Sequence, residues 1–204
     1  DEELPFGIGG HPGFRCPLGP GERFEDYRIL FEKEETADCP TIDIQTGLID
    51  FNKRHTVLRG EREISLRHDL FVNDALVFDA LQSTKVKVVS RVSGRGVEMD
   101  FAGYPMLGIW SPLGEAPLVA LEPWAGCATA KDEDDVFTHK RYLNVLEPGE
   151  SKVFTFTVKL LKKFEIWIDY PCHFTEIPVK WQGFLMYLLF PAKPIPPKNL
   201  LRMP

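Results

Sequence analysis

The 204 residues are 44% hydrophobic, enough to bury a sizeable core in one large β domain or two small ones, and one domain is favoured. A net charge of -6, with no basic stripe interleaved with aromatics, argues against nucleic-acid binding and for a neutral partner. Four scattered cysteines (Cys16, Cys39, Cys127, Cys172) contain no C-x-x-C, which removes zinc-knuckle and thioredoxin readings and leaves a reduced cytoplasmic setting as the default.

No apolar stretch reaches the roughly 18 to 20 residues of a membrane-spanning helix, and the N-terminus has no basic, apolar leader. The opening Asp1-Glu2-Glu3-Leu4-Pro5-Phe6 lacks an initiator methionine and reads as the approach to a strand already inside a domain, so the sequence is expected to be N-terminally incomplete.

The periodicity is β almost throughout. Tyr27, Ile29 and Phe31 alternate with Arg28, Leu30 and Glu32, which predicts a half-buried strand. A strand follows over 75–78. Strands over 84–91 and 97–101 flank Ser93-Gly94-Arg95-Gly96, whose glycines suit a tight hairpin. Further strands are expected over 106–111, 118–122 and 152–160, the last with Phe154, Phe156 and Val158 on one face. Many short strands predict an all-β sandwich. The one helix signal is 132–143, acidic at its start and ending Lys140-Arg141, as a helix dipole prefers. After Leu161 the character changes to a tail dense in aromatics and prolines, 162–204, with the apolar run Phe184 to Phe190, and this is set apart from the domain at 1–161.

Two short motifs carry chemistry. Gly9-Gly10-His11-Pro12-Gly13-Phe14 offers an imidazole and Leu121-Glu122-Pro123-Trp124 a carboxylate, the minimum pair for moving protons on and off oxygen. Each alone is also ordinary turn or strand-end chemistry. Weaker signals are set aside. Gly7-Ile8-Gly9-Gly10 lacks the Gly-Lys-Ser/Thr of a phosphate loop. His55, His68, His139 and His173 lack metal-ligand spacing and are assigned to surface loops or turns. The run Lys131 to Asp135 reads as a solvated face and is assigned no calcium.

Six blocks in order give the chain a resemblance to the small bacterial type of aldose 1-epimerase, in the galactose mutarotase-like group. They are the Gly9–Phe14 block with Cys16-Pro17-Leu18, then Glu25-Asp26-Tyr27, Leu70 to Leu76, Tyr104 to Ser111 with Ala116-Pro117, Leu121 to Gly126, and Leu146 to Glu150. The resemblance implies an antiparallel β-supersandwich, incomplete at its N-terminus, that holds a free sugar on its concave face. It also implies interconversion of α and β anomers with no metal and no cofactor, two groups on opposite sides of one sugar sufficing. Glu122 matches the base that takes the anomeric proton, and His11 matches the acid that protonates the ring oxygen. Asp74 matches a carboxylate that accepts from sugar hydroxyls, with an Asx turn as its bland alternative. Trp110 and Trp124 offer the sugar a flat apolar surface, or serve as core. Family members carry an Arg-His-Gly motif upstream of the first block, and this sequence begins after the point where it would stand.

Three other readings stay open. A hexose-6-phosphate 1-epimerase would need cations at the mouth of the site, for which Arg15 and Arg23 are candidates. A non-catalytic sugar-binding sandwich, or an inactive homologue, would bind without turnover. A glycosidase would pair Glu122 with Asp74.

Overall fold

A computed structural model describes residues 2–114 and 116–161. The tail expected at 162–204, with Cys172, His173 and the apolar run, lies outside the described residues.

The described chain is built of antiparallel strands with three short 3-10 turns. In chain order the strands are β1 (Leu4–Phe6), β2 (Ile8–Gly9), β3 (Gly13–Arg15), β4 (Tyr27–Ile42), β5 (Ile49–Ser65), β6 (Leu76–Phe78), β7 (Lys85–Ser90), β8 (Gly96–Asp100), β9 (Met106–Trp110), β10 (Leu118–Ala125), β11 (Asn144–Leu146) and β12 (Thr157–Leu161). One sheet runs β2-β10-β9-β6, with β3 also on β10. A second runs β12-β8-β7-β4-β5, and β1 pairs with β11.

Alternation explains the layering. Leu107 and Ile109 on β9, and Val119 and Leu121 on β10, face Tyr27, Ile29, Phe31, Val86, Val88, Val97 and Met99 of the other sheet in one buried cluster. The residues between them, Met106, Gly108 and Trp110 on β9 and Ala120, Glu122 and Trp124 on β10, therefore point to the outer face. Burying an aliphatic side chain is worth about 1.5–3 kcal/mol, so a one-residue slip that exchanged these faces is strongly disfavoured.

Four expectations need correction. The seventeen-residue strand β5 has no counterpart in the sequence reading, because its exposed run Asn52 to Thr56 and its charges at 59–63 hide a strand anchored by Ile49, Leu58 and Ile64. His55 accordingly stands on this strand rather than in a loop. The strand expected over 152–160 starts only at Thr157, and Phe154 instead joins an aromatic cluster with Phe6 and Tyr104.

Strand β10 continues past Glu122 through Pro123 to Ala125. Pro123 is tolerated because its carbonyl faces Gly10, accepting its N–H at 3.0 Å. The amide it lacks would point the same way, toward the interrupted edge and not toward β9.

The segment 132–143 is not an α-helix. The chain folds back on itself, with Asp132 on Arg141 at 2.7 Å, Glu133 on Lys140 at 3.2 Å and Asp134 on His139 at 2.8 Å. Charges nine, seven and five residues apart cannot meet along a helix that rises about 1.5 Å per residue, but they meet across a turn. Asp135, at a φ of 63°, lies in that turn.

Candidate functional site

The edge of the first sheet is broken at the residues of interest. β2 pairs Gly9 with Trp124, and β3 pairs Gly13 with Ala120, both against β10. The register runs unshifted through the gap, held by Gly10 N–H on the Pro123 carbonyl and by Leu121 N–H on the Pro12 carbonyl at 3.2 Å. His11 therefore falls directly opposite Glu122, where side chains on one face are cross-strand neighbours. On the other side of β10, Glu122 is paired with Gly108, and Gly108 with Val77. One row across the sheet thus reads His11, Glu122, Gly108, Val77.

The two functional groups touch: His11 Nδ1 lies 2.7 Å from Glu122 Oε1, with the imidazole side chain 27% exposed and the carboxylate 9%. The groups expected on opposite sides of a sugar stand side by side. Burial raises the Glu122 pKa above the ordinary carboxylate range. The hydrogen bond and charge of His11 and the Trp124 indole oppose that rise, while the charge of Asp74 adds to it. An open cleft of about 510 Å³ lies over the pair, with Trp124, Cys127 and backbone of Gly9 and Gly10 in its walls.

The other candidates divide. Trp124 is half-buried and lines the cleft. Trp110, paired with Ala120 in the next row, stands with its ring 5.8 Å from that of His11. Both tryptophans also pack on a small outer cluster of Ala75, Val77 and Met106, so the surface and core readings coexist. Asp74 precedes β6 in a left-handed conformation, φ 72°, and its Oδ1 accepts the Ala75 N–H at 2.7 Å. That is local turn chemistry as in the bland alternative. Its side chain is exposed, and its charge reaches Glu122.

Arg15 pairs with Leu118 on the same outer face as Glu122, two rows beyond it. Arg23 is drawn instead to Asp26, at 3.6 Å, in the 3-10 turn before β4. His68 is stacked on Phe24 with ring centroids 4.0 Å apart, and no cluster of metal-ligating side chains occurs among the described residues.

Sequence reasoning missed the glycines of the floor. A Cβ at Gly9 would stand 2.8 Å from the Trp124 ring, and one at Gly108 would stand 2.8 Å from its far edge. The available signal was a glycine on the outward-facing phase of Met106-Leu107-Gly108-Ile109-Trp110, where a strand has no backbone reason for one.

No family model matches the chain. Over 161 residues it is 34% identical to Protein LacX of Lactococcus lactis subsp. lactis, in both the plasmid and the chromosomal form, covering 79% of this chain and 54% of the relative. The chain thus spans about half the length of the curated relatives it matches. Among solved structures, a galactose mutarotase related enzyme from Lactobacillus acidophilus superposes with a TM-score of 0.72 at 31% identity, over 78% of this chain and 53% of that one. A galactose mutarotase-like protein from Lactobacillus casei superposes with a TM-score of 0.65 at 23% identity, over 78% and 54%, and speaks for the fold alone.

Proposed function

With a partial galactose mutarotase-like fold as the premise, we propose that the chain belongs to an aldose 1-epimerase-like isomerase that interconverts the α and β anomers of a hexose at the His11–Glu122 pair. The observation that carries this is the 2.7 Å contact of a buried carboxylate and an imidazole on the floor of an open cleft.

The side-by-side arrangement suits the reaction, because the anomeric hydroxyl and the ring oxygen are bonded to one carbon. A sugar presenting both oxygens replaces the His11–Glu122 contact with its own two. Glu122 takes the anomeric proton, and the protonated imidazole of His11 gives one to the ring oxygen. The C1–O5 bond breaks, C1 becomes an aldehyde carbonyl and turns, and closure returns each proton to its donor. A carboxylate is already ionised near neutral pH, and an imidazole exchanges protons there without strong driving. Trp124 supplies an apolar face for the ring carbons, and Asp74 accepts from a hydroxyl at the rim.

Charge on the substrate is the second reading. Arg15 on the same face as Glu122 favours a hexose 6-phosphate, whereas Arg23, tied to Asp26, is dropped from it. The glycosidase reading is weakened, because an imidazole and not a second carboxylate meets Glu122. The unpaired thiols of Cys16, Cys39 and Cys127 fit a reducing cytoplasm. No helix of the described residues is long and apolar enough to cross a membrane.

The test is equilibration of fresh α-D-glucose, α-D-galactose and α-D-glucose 6-phosphate, followed by anomeric proton NMR beside Glu122→Gln and His11→Ala. Acceleration lost in both variants supports the isomerase. Sugar binding without acceleration moves the protein to the binding-module reading.

A further inference from the structure

We propose that Trp124 is a positioning residue for the His11–Glu122 pair: its indole, seated flat on the sheet in a track cleared by Gly9 and Gly108, turns its Nε1–H edge to Glu122 and fixes the carboxylate against His11. Its kinetic consequence rests on the anomer-interconversion reading; the positioning does not.

Trp124 and Glu122 lie two residues apart on β10 and share its outer face, so the ring has one direction in which to lie near the carboxylate. The contacts show that direction. A Cβ at Gly9, the cross-strand partner of Trp124, would stand 2.8 Å from Cδ1. One at Gly108, the cross-strand partner of Glu122, would stand 2.8, 3.0 and 3.2 Å from Cζ2, Cη2 and Cε2. Nε1 is bonded to Cδ1 and Cε2, so the edge carrying the N–H lies between the two glycines and along the row of Glu122. Any side chain at either position would occupy the space of the ring.

The backbone leading to His11 is held by the same device from the other side. Gly10 precedes His11, and a Cβ there would stand 2.8 Å from the Phe156 ring, which packs on the main core. Gly9 thus lies under one aromatic ring and Gly10 over another. The backbone entering His11 is clamped between Trp124 and Phe156, with its N–H already bound to the Pro123 carbonyl. An indole N–H donated to the carboxylate stabilises its ionised form, the form that acts as base, and opposes the effect of burial.

The experiment is carboxyl ¹³C NMR titration of Glu122 in wild-type protein, Trp124→Phe and Gly108→Ala, with kcat, KM and the pH profile of anomer interconversion on the same samples. Phenylalanine keeps an aromatic floor and deletes the N–H. Gly108→Ala keeps the indole and displaces it. In Trp124→Phe we expect the titration and the acid limb of the profile to move up together by about one pH unit and kcat to fall about tenfold with KM changed little, as for a lost donor to a charged group. Gly108→Ala should move both in the same direction. A Glu122 titration unchanged in both folded variants overturns the proposal and leaves Trp124 as floor alone. Should the titration move while even the wild type leaves anomers unmixed, the positioning stands and the isomerase reading fails.

Discussion

The two five-stranded sheets turn outer faces of opposite character to their surroundings. On the β12-β8-β7-β4-β5 face, charges answer one another across the strands: Lys87 on Glu98 at 2.9 Å, Lys85 on Asp100 at 3.6 Å, and Arg28 and Arg91 on Glu63 at 2.6 and 2.7 Å. The other outer face is built from glycine, tryptophan and small apolar residues, and around Glu122 it holds one imidazole. The same antiparallel pairing serves a solvated ladder on one side and a low-polarity floor on the other. A carboxylate at 98 is one partner among several. A carboxylate at 122 is buried, raised in pKa and dependent on its two neighbours.

The largest effect that would sharpen this contrast is on Glu122→Gln, which should slow anomer interconversion by about 100- to 10,000-fold, the range of a general base. Because burying an ionised carboxylate costs stability, the variant should melt at or above the wild-type temperature. A variant that turns over normally would break the contrast. In the wild type, activity should fall off on the acid side at a pH above the ordinary carboxylate range, since the base must be ionised and its pKa is raised. A pH-rate profile reads this directly.

Next comes Gly108→Ala, which drives a methyl into the indole and should cost about 1–3 kcal/mol in denaturant unfolding, the range for overpacking. The corner between β3 and β4 should respond to a similar degree. There burial works to raise the Glu22 pKa, but hydrogen bonds from Ser93, Tyr27 and Ser90 with the Gly19 amide outweigh it and bring the pKa down to about 2. Glu22→Ala leaves the buried Tyr27 hydroxyl without its acceptor, a loss of about 1–3 kcal/mol. The folded pKa lies below the ordinary glutamate value of 4.5, so this stabilisation is complete above that pH and drains away as pH falls toward about 2. Unfolding free energies measured across that window in wild type and variant should converge at its acid end.

The smallest effect is expected on the charged face. Lys87→Ala, removing a half-exposed ion pair, should change stability by less than about 0.5 kcal/mol and leave the site untouched. A larger loss would show that the ladder carries more than solubility.

Much of the fold was legible in the residues. Alternation at Tyr27-Ile29-Phe31 and Val86-Val88, and Gly94 in the turn before β8, state their structure locally, because strand pleat and turn geometry act within a few residues. β5 was not, because its partner β4 supplies the pairing and lets exposed residues occupy most of a seventeen-residue strand. The segment 132–143 misled for a related reason. Acidic residues followed by basic ones satisfy a helix dipole and a folded-back loop equally, and only the ion pairs across the turn distinguish them.

For the site, the sequence by itself determined the two candidate groups, the imidazole of His11 and the carboxylate of Glu122, since their chemistry belongs to the side chains. What only the tertiary structure decided was that they meet. Residues 111 positions apart become neighbours through the unshifted register of β2 and β3 on β10, and the room for the indole beside them comes from glycines on β2 and β9. Register is a property of paired strands, set by the burial of one face of each. No single stretch of the chain contains it.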